Sequence, residues 1–116
     1  MISTKDTRWK VASELSAEAL LKELQKALGF WDDNYEDVSA EVTLVRSPHP
    51  TVKVDCEGRS HDVQSLCHTM AHEALVWCQR HSKGQLDASN VWRTETGQAV
   101  RTVFTPHGIT ITFEGG

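Results

Sequence analysis

Residues 62–80 read DVQSLCHTMAHEALVWCQR, and this stretch decides the fold of the chain. Its apolar residues recur at steps that alternate between three and one, the pattern of an amphipathic helix. Ser60 or Asp62 can cap its start, and Gly84 offers a left-handed C-cap after a basic last turn. We therefore predict a helix whose buried stripe consists of Val63, Leu66, Cys67, Met70, Ala71, Ala74, Leu75 and Cys78.

A second helix and several strands are predicted on either side of this helix. Ser16 can cap a helix over residues 17–28, which Gly29 would end. The connection over residues 85–90 is polar. Alternation of apolar and polar residues predicts strands over 7–14, 40–46, 51–57, 91–96, 99–105 and 109–113.

The order of these elements is β-α-β-β-α-β-β-β, with strands that follow one another through short turns. Such connections are typical of antiparallel hairpins, not of a parallel doubly wound sheet. We therefore predict one α+β domain over residues 1–116, an antiparallel sheet with two helices packed on one face.

Composition and charge exclude several classes of function. The chain is 39% hydrophobic and 24% charged, as expected of a soluble globular protein. It has no apolar run long enough for a membrane span and no signal peptide, so we expect a cytoplasmic protein. Its net charge of −4 argues against a nucleic-acid partner that is held through phosphates.

The three cysteines predict a reducing compartment. Cys67 and Cys78 lie eleven residues apart on one predicted helix, about 16 Å along its axis, and therefore cannot form a disulfide with each other. We interpret all three as small buried hydrophobic residues. Cys56 is left as the candidate for a reactive thiol.

The segment FWDDNYED, residues 30–37, combines aromatic and acidic side chains and is predicted to be a loop. In one interpretation Phe30 and Trp31 pack beneath the end of the preceding helix while the acidic side chains face water. In the other the loop binds a partner, because exposed Trp and Tyr often anchor interfaces. The candidate partner-binding residues are Trp31, Asp32, Asp33, Tyr35 and Asp37.

Two histidines on the central helix are candidates for a metal site. His68 and His72 are four residues apart, which lets two imidazoles share one ion. His72-Glu73 begins an HExxH motif, but residue 76 is a valine, so the metalloprotease signature fails. Two exposed histidines are more often simply solvated, and no cofactor is expected.

Apolar residues on the sheet face without helices would form an exposed patch. The candidates are Val45, Val103 and either Val91 or Trp92. Such a patch would favour an interaction surface, including a homodimer.

These observations favour a small cytosolic protein-binding module without catalysis, such as an inhibitor, an immunity protein or a chaperone-like adaptor. Its partner would be another protein. One alternative is a small metal- or thiol-dependent enzyme that uses His68, His72 or Cys56. A further alternative is a ubiquitin-like carrier that uses the terminal Gly115-Gly116.

Overall fold

The computed structural model of the chain describes residues 15–31 and 37–115. In this part of the chain two helices lie on one antiparallel sheet of six strands, so the predicted α+β fold class is confirmed. The predicted strand over residues 7–14 lies outside the described residues. No helix within the described ranges is long and apolar enough to cross a membrane.

Helix α1 spans Ala17–Trp31 and begins at the predicted cap. The hydroxyl oxygen of Ser16 accepts a hydrogen bond from the backbone N–H of Ala19 at 3.4 Å. The predicted end at Gly29 is wrong, because the helix continues for one more turn and includes Gly29, Phe30 and Trp31. A glycine inside a helix costs only about 1 kcal/mol relative to alanine, which packing of the helix can offset.

Helix α2 spans Ser60–His81 and presents the predicted apolar stripe to the core. Both predicted caps are wrong. Arg59 occupies the N-cap position without a side-chain hydrogen bond, and Ser82 is the C-cap residue in an extended conformation. The Ser82 N–H donates to the carbonyl oxygen of Cys78 at 3.0 Å, so the last turn closes without a left-handed glycine.

The six strands form a sheet in the order β1-β2-β6-β5-β4-β3, and every neighbouring pair is antiparallel. The C-terminal strand β6 therefore lies inside the sheet, between β2 and β5. The strand bounds are Ser39–Val45 for β1, Thr51–Glu57 for β2, Gly84–Leu86 for β3, Val91–Thr94 for β4, Gln98–Thr105 for β5 and Gly108–Gly115 for β6.

The predicted polar connection after α2 contains strand β3, which pairs with β4. Gly84 lies in this strand and does not serve as the helix cap. A Cβ at residue 84 would overlap the carbonyl oxygen of Arg93 on β4, so glycine allows the two backbones to approach closely. Asp87 shapes the turn that follows, because its carboxylate accepts the N–H groups of Ser89 and Val91 at 2.7 and 3.2 Å.

The hydrophobic core lies between the helices and one face of the sheet. Side chains of directly paired residues point to the same side, so each strand contributes alternate residues to this face. Val52, Ile109 and Ile111 are almost fully buried there, opposite Leu66 and Met70 of α2. The prediction that α2 packs its apolar stripe against the sheet is therefore confirmed.

Candidate functional site

An apolar groove lies between α2 and the strands β3, β4 and β5. Its volume is about 140 Å³, and it opens to the surface. From α2 it is lined by Ala71, His72, Ala74, Leu75 and Cys78, and from the sheet side by Leu86, Asn90, Trp92, Val100, Thr102 and Phe104. Most of its lining is apolar, which makes it a candidate binding site.

The groove exists because two helices do not cover six strands. A helix with its side chains is about 10 Å wide, whereas strands are about 4.8 Å apart, so one helix covers about two strands. Helix α1 packs on β1 and β2, and α2 packs on β2 and β6. Beyond β6, Trp92 of β4 and Val100 of β5 are still buried with the core, whereas Leu86 of β3 and Phe104 of β5 remain exposed.

Two large apolar side chains at the groove are exposed to solvent. Leu86 of β3 has 46% of its surface exposed, and Phe104 of β5 has 41% exposed. The pairing Leu86–Trp92–Val100 across β3, β4 and β5 places Leu86 on the helix-facing side of the sheet. Phe104 pairs with the core residue Ile109 and therefore points to the same side.

A chain of hydrogen bonds closes the groove at the C-terminal end of α2. The indole N–H of Trp92 donates to the hydroxyl oxygen of Ser82 at 2.8 Å. That hydroxyl donates to the carbonyl oxygen of Cys78, also at 2.8 Å. The end of the helix is thereby joined to β4, which fixes the width of the groove at this end.

A ring contact joins α2 to Phe104, one of the residues that line the groove. The centroids of the His68 and Phe104 rings are 5.0 Å apart, with the ring planes tilted by 38°. On the other side of this pair lies a second cavity of about 380 Å³, lined by Val63, Gln64, Cys67, His68, Phe104 and Thr105. The two cavities thus share Phe104, with the imidazole of His68 against it.

The three cysteines are free and buried, as the sequence predicts. Burial raises the pKa of the Cys56 and Cys78 thiols to about 12 and also raises the pKa of Cys67. A nucleophilic cysteine needs a pKa shift in the opposite direction, towards a stable thiolate. The environment of Cys56 therefore speaks against the thiol-enzyme alternative.

The predicted partner-binding loop falls only partly within the described residues. Trp31 is half-buried and packs against the core, whereas its neighbour Phe30 is 75% exposed and meets the Trp31 ring edge-on at 5.3 Å. Asp37 is exposed and lies 3.6 Å from the guanidinium of Arg59. The remaining candidates Asp32, Asp33 and Tyr35 lie outside the described residues.

The predicted metal ligands His68 and His72 are both exposed on α2, where His72 lines the groove and His68 lines the second cavity. Within residues 15–31 and 37–115, no group of three or more His, Cys, Asp and Glu side chains is placed to hold a metal ion. A site with only these two protein ligands stays a prediction. The ubiquitin-like alternative concerns Gly115-Gly116. Gly115 pairs with Gln98 in the sheet, and Gly116 lies outside the described residues.

The sheet face without helices carries two exposed valines that do not meet. Val45 is 41% exposed and Val103 is 46% exposed, as predicted, but β2 and β6 lie between them. Three strand spacings separate them, about 14 Å, and the intervening side chains belong to Thr51, Lys53, Thr110 and Thr112.

The predicted exposure of Val91 or Trp92 is wrong, because both side chains are buried. Val91 belongs to the face without helices, whereas Trp92 faces α2 and the groove. The described part of this face therefore has no continuous apolar patch. A homodimer through it stays a prediction.

Sequence reasoning identified the helical side of the groove but missed the sheet side. Leu86, Val100 and Phe104 were recognisable only as members of alternating or polar segments. The available signal was the number of elements, since two helices cannot cover every strand of a six-stranded sheet completely.

Searches of protein-family models, of curated proteins and of solved structures each find no match to this chain.

Proposed function

We propose that the chain is a small cytosolic protein-binding module without catalysis of its own, and that its groove binds an amphipathic helix of a partner protein. Such a module could act as an inhibitor, an immunity protein or a chaperone-like adaptor. The observation that carries this proposal is the apolar groove between α2 and β3–β5, with Leu86 and Phe104 exposed beside it.

The geometry of the groove favours a helix as its occupant. The α2 residues that line it run from Ala71 to Cys78, about 10 Å along the helix axis, which is close to two helical turns. A partner helix laid beside α2 would occupy the position of a third helix on the sheet. It would bury the exposed apolar surface through contacts at i, i+3, i+4 and i+7.

The polar groups at the groove indicate that the partner helix has polar side chains along the border of its apolar stripe. His72, Asn90 and Thr102 provide the polar part of a lining that is otherwise apolar. They can hydrogen-bond the polar border of an amphipathic helix while Leu75, Leu86 and Phe104 contact its apolar stripe. The affinity would then come mainly from a few buried apolar side chains.

Site-specific photocrosslinking tests this proposal. A photoreactive phenylalanine analogue is placed at residue 104 in the full chain, and a matched control carries it at residue 103. Phe104 and Val103 have similar exposure but point to opposite faces of β5. We expect position 104 to crosslink to one amphipathic helical segment of a single partner protein, and position 103 not to do so.

A direct measurement on the identified segment completes the test. We expect the synthetic segment to bind the purified chain, and the variant Leu86→Asp to weaken that binding at least about tenfold, about 1.4 kcal/mol. Val103→Asp is the control and should leave the affinity unchanged. Crosslinks from position 104 to residues 1–14 of the same chain, to a second copy, or equally from both positions would contradict the proposal.

A further inference from the structure

Two of the buried cysteines face each other across the junction between β2 and α2. The sulfur atoms of Cys56 and Cys67 are 3.9 Å apart. Cys56 lies on the helix-facing side of β2 near its end, and Cys67 lies on the core stripe of α2. The short connection through Gly58 and Arg59 holds the strand and the helix together at this place.

We propose that Cys56 and Cys67 form an intramolecular disulfide when the protein reacts with hydrogen peroxide. A disulfide bond is about 2 Å long, so the two sulfur atoms must approach by about 2 Å. Both cysteines belong to elements that are already packed against each other through the core. Side-chain rotation with a small backbone adjustment can therefore bring the sulfur atoms together.

The second cavity gives the oxidant a path to one of the two thiols. Cys67 lines this cavity beside His68, whereas Cys56 does not line it. The cavity volume of about 380 Å³ is ample for a peroxide molecule, since one water molecule occupies about 30 Å³ in the liquid. Peroxide therefore meets Cys67 first, and Cys56 acts as the second thiol.

The reaction proceeds in two balanced steps. The Cys67 thiolate attacks one peroxide oxygen, the O–O bond breaks, and the leaving hydroxide takes up the thiol proton as water, which leaves a sulfenic acid. The Cys56 sulfur then attacks the Cys67 sulfur, the S–O bond breaks, and a second water leaves. Two thiols are oxidised to one disulfide, and one peroxide molecule is reduced to two waters.

The surroundings of the two thiols agree with this order. Burial raises the pKa of both, and the negative charge of Asp55 adds to the increase at Cys56. The hydrogen bond between the thiols lowers the pKa of Cys67 and raises that of Cys56. Because burial still disfavours both thiolates, we expect the reaction to be slow at neutral pH.

Peptide mapping of the peroxide-treated full chain tests this proposal. The reduced protein is treated with hydrogen peroxide, its remaining thiols are alkylated, and the chain is cut at Arg59 and after Glu73. Cleavage at Arg59 separates Cys56 from Cys67, and cleavage after Glu73 separates Cys67 from Cys78. We expect a disulfide-linked pair of the Cys56 and Cys67 peptides and a decrease from three titratable thiols to one.

Three alanine variants provide the controls. Cys56→Ala and Cys67→Ala should each lose the linked peptide pair, whereas Cys78→Ala should retain it because Cys78 is about 16 Å along α2 from Cys67. Circular dichroism before treatment verifies that each variant is folded. The proposal is overturned if folded wild-type protein keeps three thiols, accumulates sulfinic acid at Cys67 without a disulfide, or forms a linkage to Cys78 or between chains.

Discussion

The hydrogen-bond chain from Trp92 through Ser82 to Cys78 gives a quantitative prediction. The substitution Ser82→Ala removes the hydroxyl group that accepts the Trp92 indole N–H and donates to the Cys78 carbonyl oxygen. That carbonyl oxygen keeps the backbone N–H of residue 82 as a donor, so its loss is small. The indole N–H belongs to a buried residue and loses its partner, which costs about 1–3 kcal/mol.

Urea denaturation followed by circular dichroism measures this change in the free energy of unfolding. We expect a loss of about 2 kcal/mol, which corresponds to a decrease of about 8 °C in the melting temperature of a chain this size. A double-mutant cycle with Trp92→Phe separates the hydrogen bond from packing, because the phenyl ring has no N–H group. We expect a coupling energy of about 1–2 kcal/mol.

The result that would refute this reasoning is specific. If Ser82→Ala changes the free energy of unfolding by less than about 0.5 kcal/mol, the hydroxyl does not join the helix end to β4. A coupling energy near zero in the cycle with Trp92→Phe would refute the hydrogen bond even if the single variant is destabilised.

Three further predictions concern glycine, a buried thiol and the core. Gly84→Ala should destabilise the protein, because its methyl group would overlap the carbonyl oxygen of Arg93 and separate β3 from β4, whereas Gly29→Ala should stabilise it by about 0.5–1 kcal/mol. The pKa of Cys78 is raised by burial to about 12 from 9.0, so its contribution to stability is complete below pH 9 and is lost as the pH rises towards 12. At about pH 10.5 this loss is roughly 2 kcal/mol, and it should be absent in Cys78→Ala. Met70→Ala should cost about 2–5 kcal/mol, because the side chain is fully buried between helix and sheet.

Denaturation curves measure all three predictions, and each has its own control. The Gly84 and Gly29 variants carry the same chemical change, so equal effects would contradict the close approach of β3 and β4. For the thiol, the relevant quantity is the difference between wild type and Cys78→Ala at two pH values, which removes the titration of other groups. Gln79→Ala, an exposed change on α2, serves as the control for Met70→Ala, and an unchanged melting curve for Met70→Ala would contradict its burial.

The predictability of the elements follows from how much of each is encoded locally. The apolar stripe of α2 runs from Val63 to Cys78 within a helix of 22 residues, so the type of this element and its buried face were predictable from the sequence. Strand β3 has three residues and no alternation to recognise, and it forms because β4 is there to pair with it. Gly84 shows the ambiguity directly, since a glycine after a basic helix end fits a C-cap as well as a close strand pair.

The candidate site was less predictable because it depends on how the layers are arranged. The sequence indicates the helices and the strands but not which strands the helices cover, so the groove and the exposure of Leu86 and Phe104 beside it had no local signal. The contact between Cys56 and Cys67, in contrast, had a local signal in the sequence. Both residues lie on core-facing positions of elements joined by a short connection, which brings the two sulfur atoms to 3.9 Å.

The position of β6 has a consequence for the order in which the protein assembles. Residues 108–115 are the sole hydrogen-bonded link, within the described sheet, between the β1–β2 hairpin and the β3–β4–β5 meander. Until β6 is inserted, β2 of the hairpin and β5 of the meander each present an open edge, and such edges bind other extended chains readily. The pairing of β6 with both strands is therefore the step that removes these two edges together.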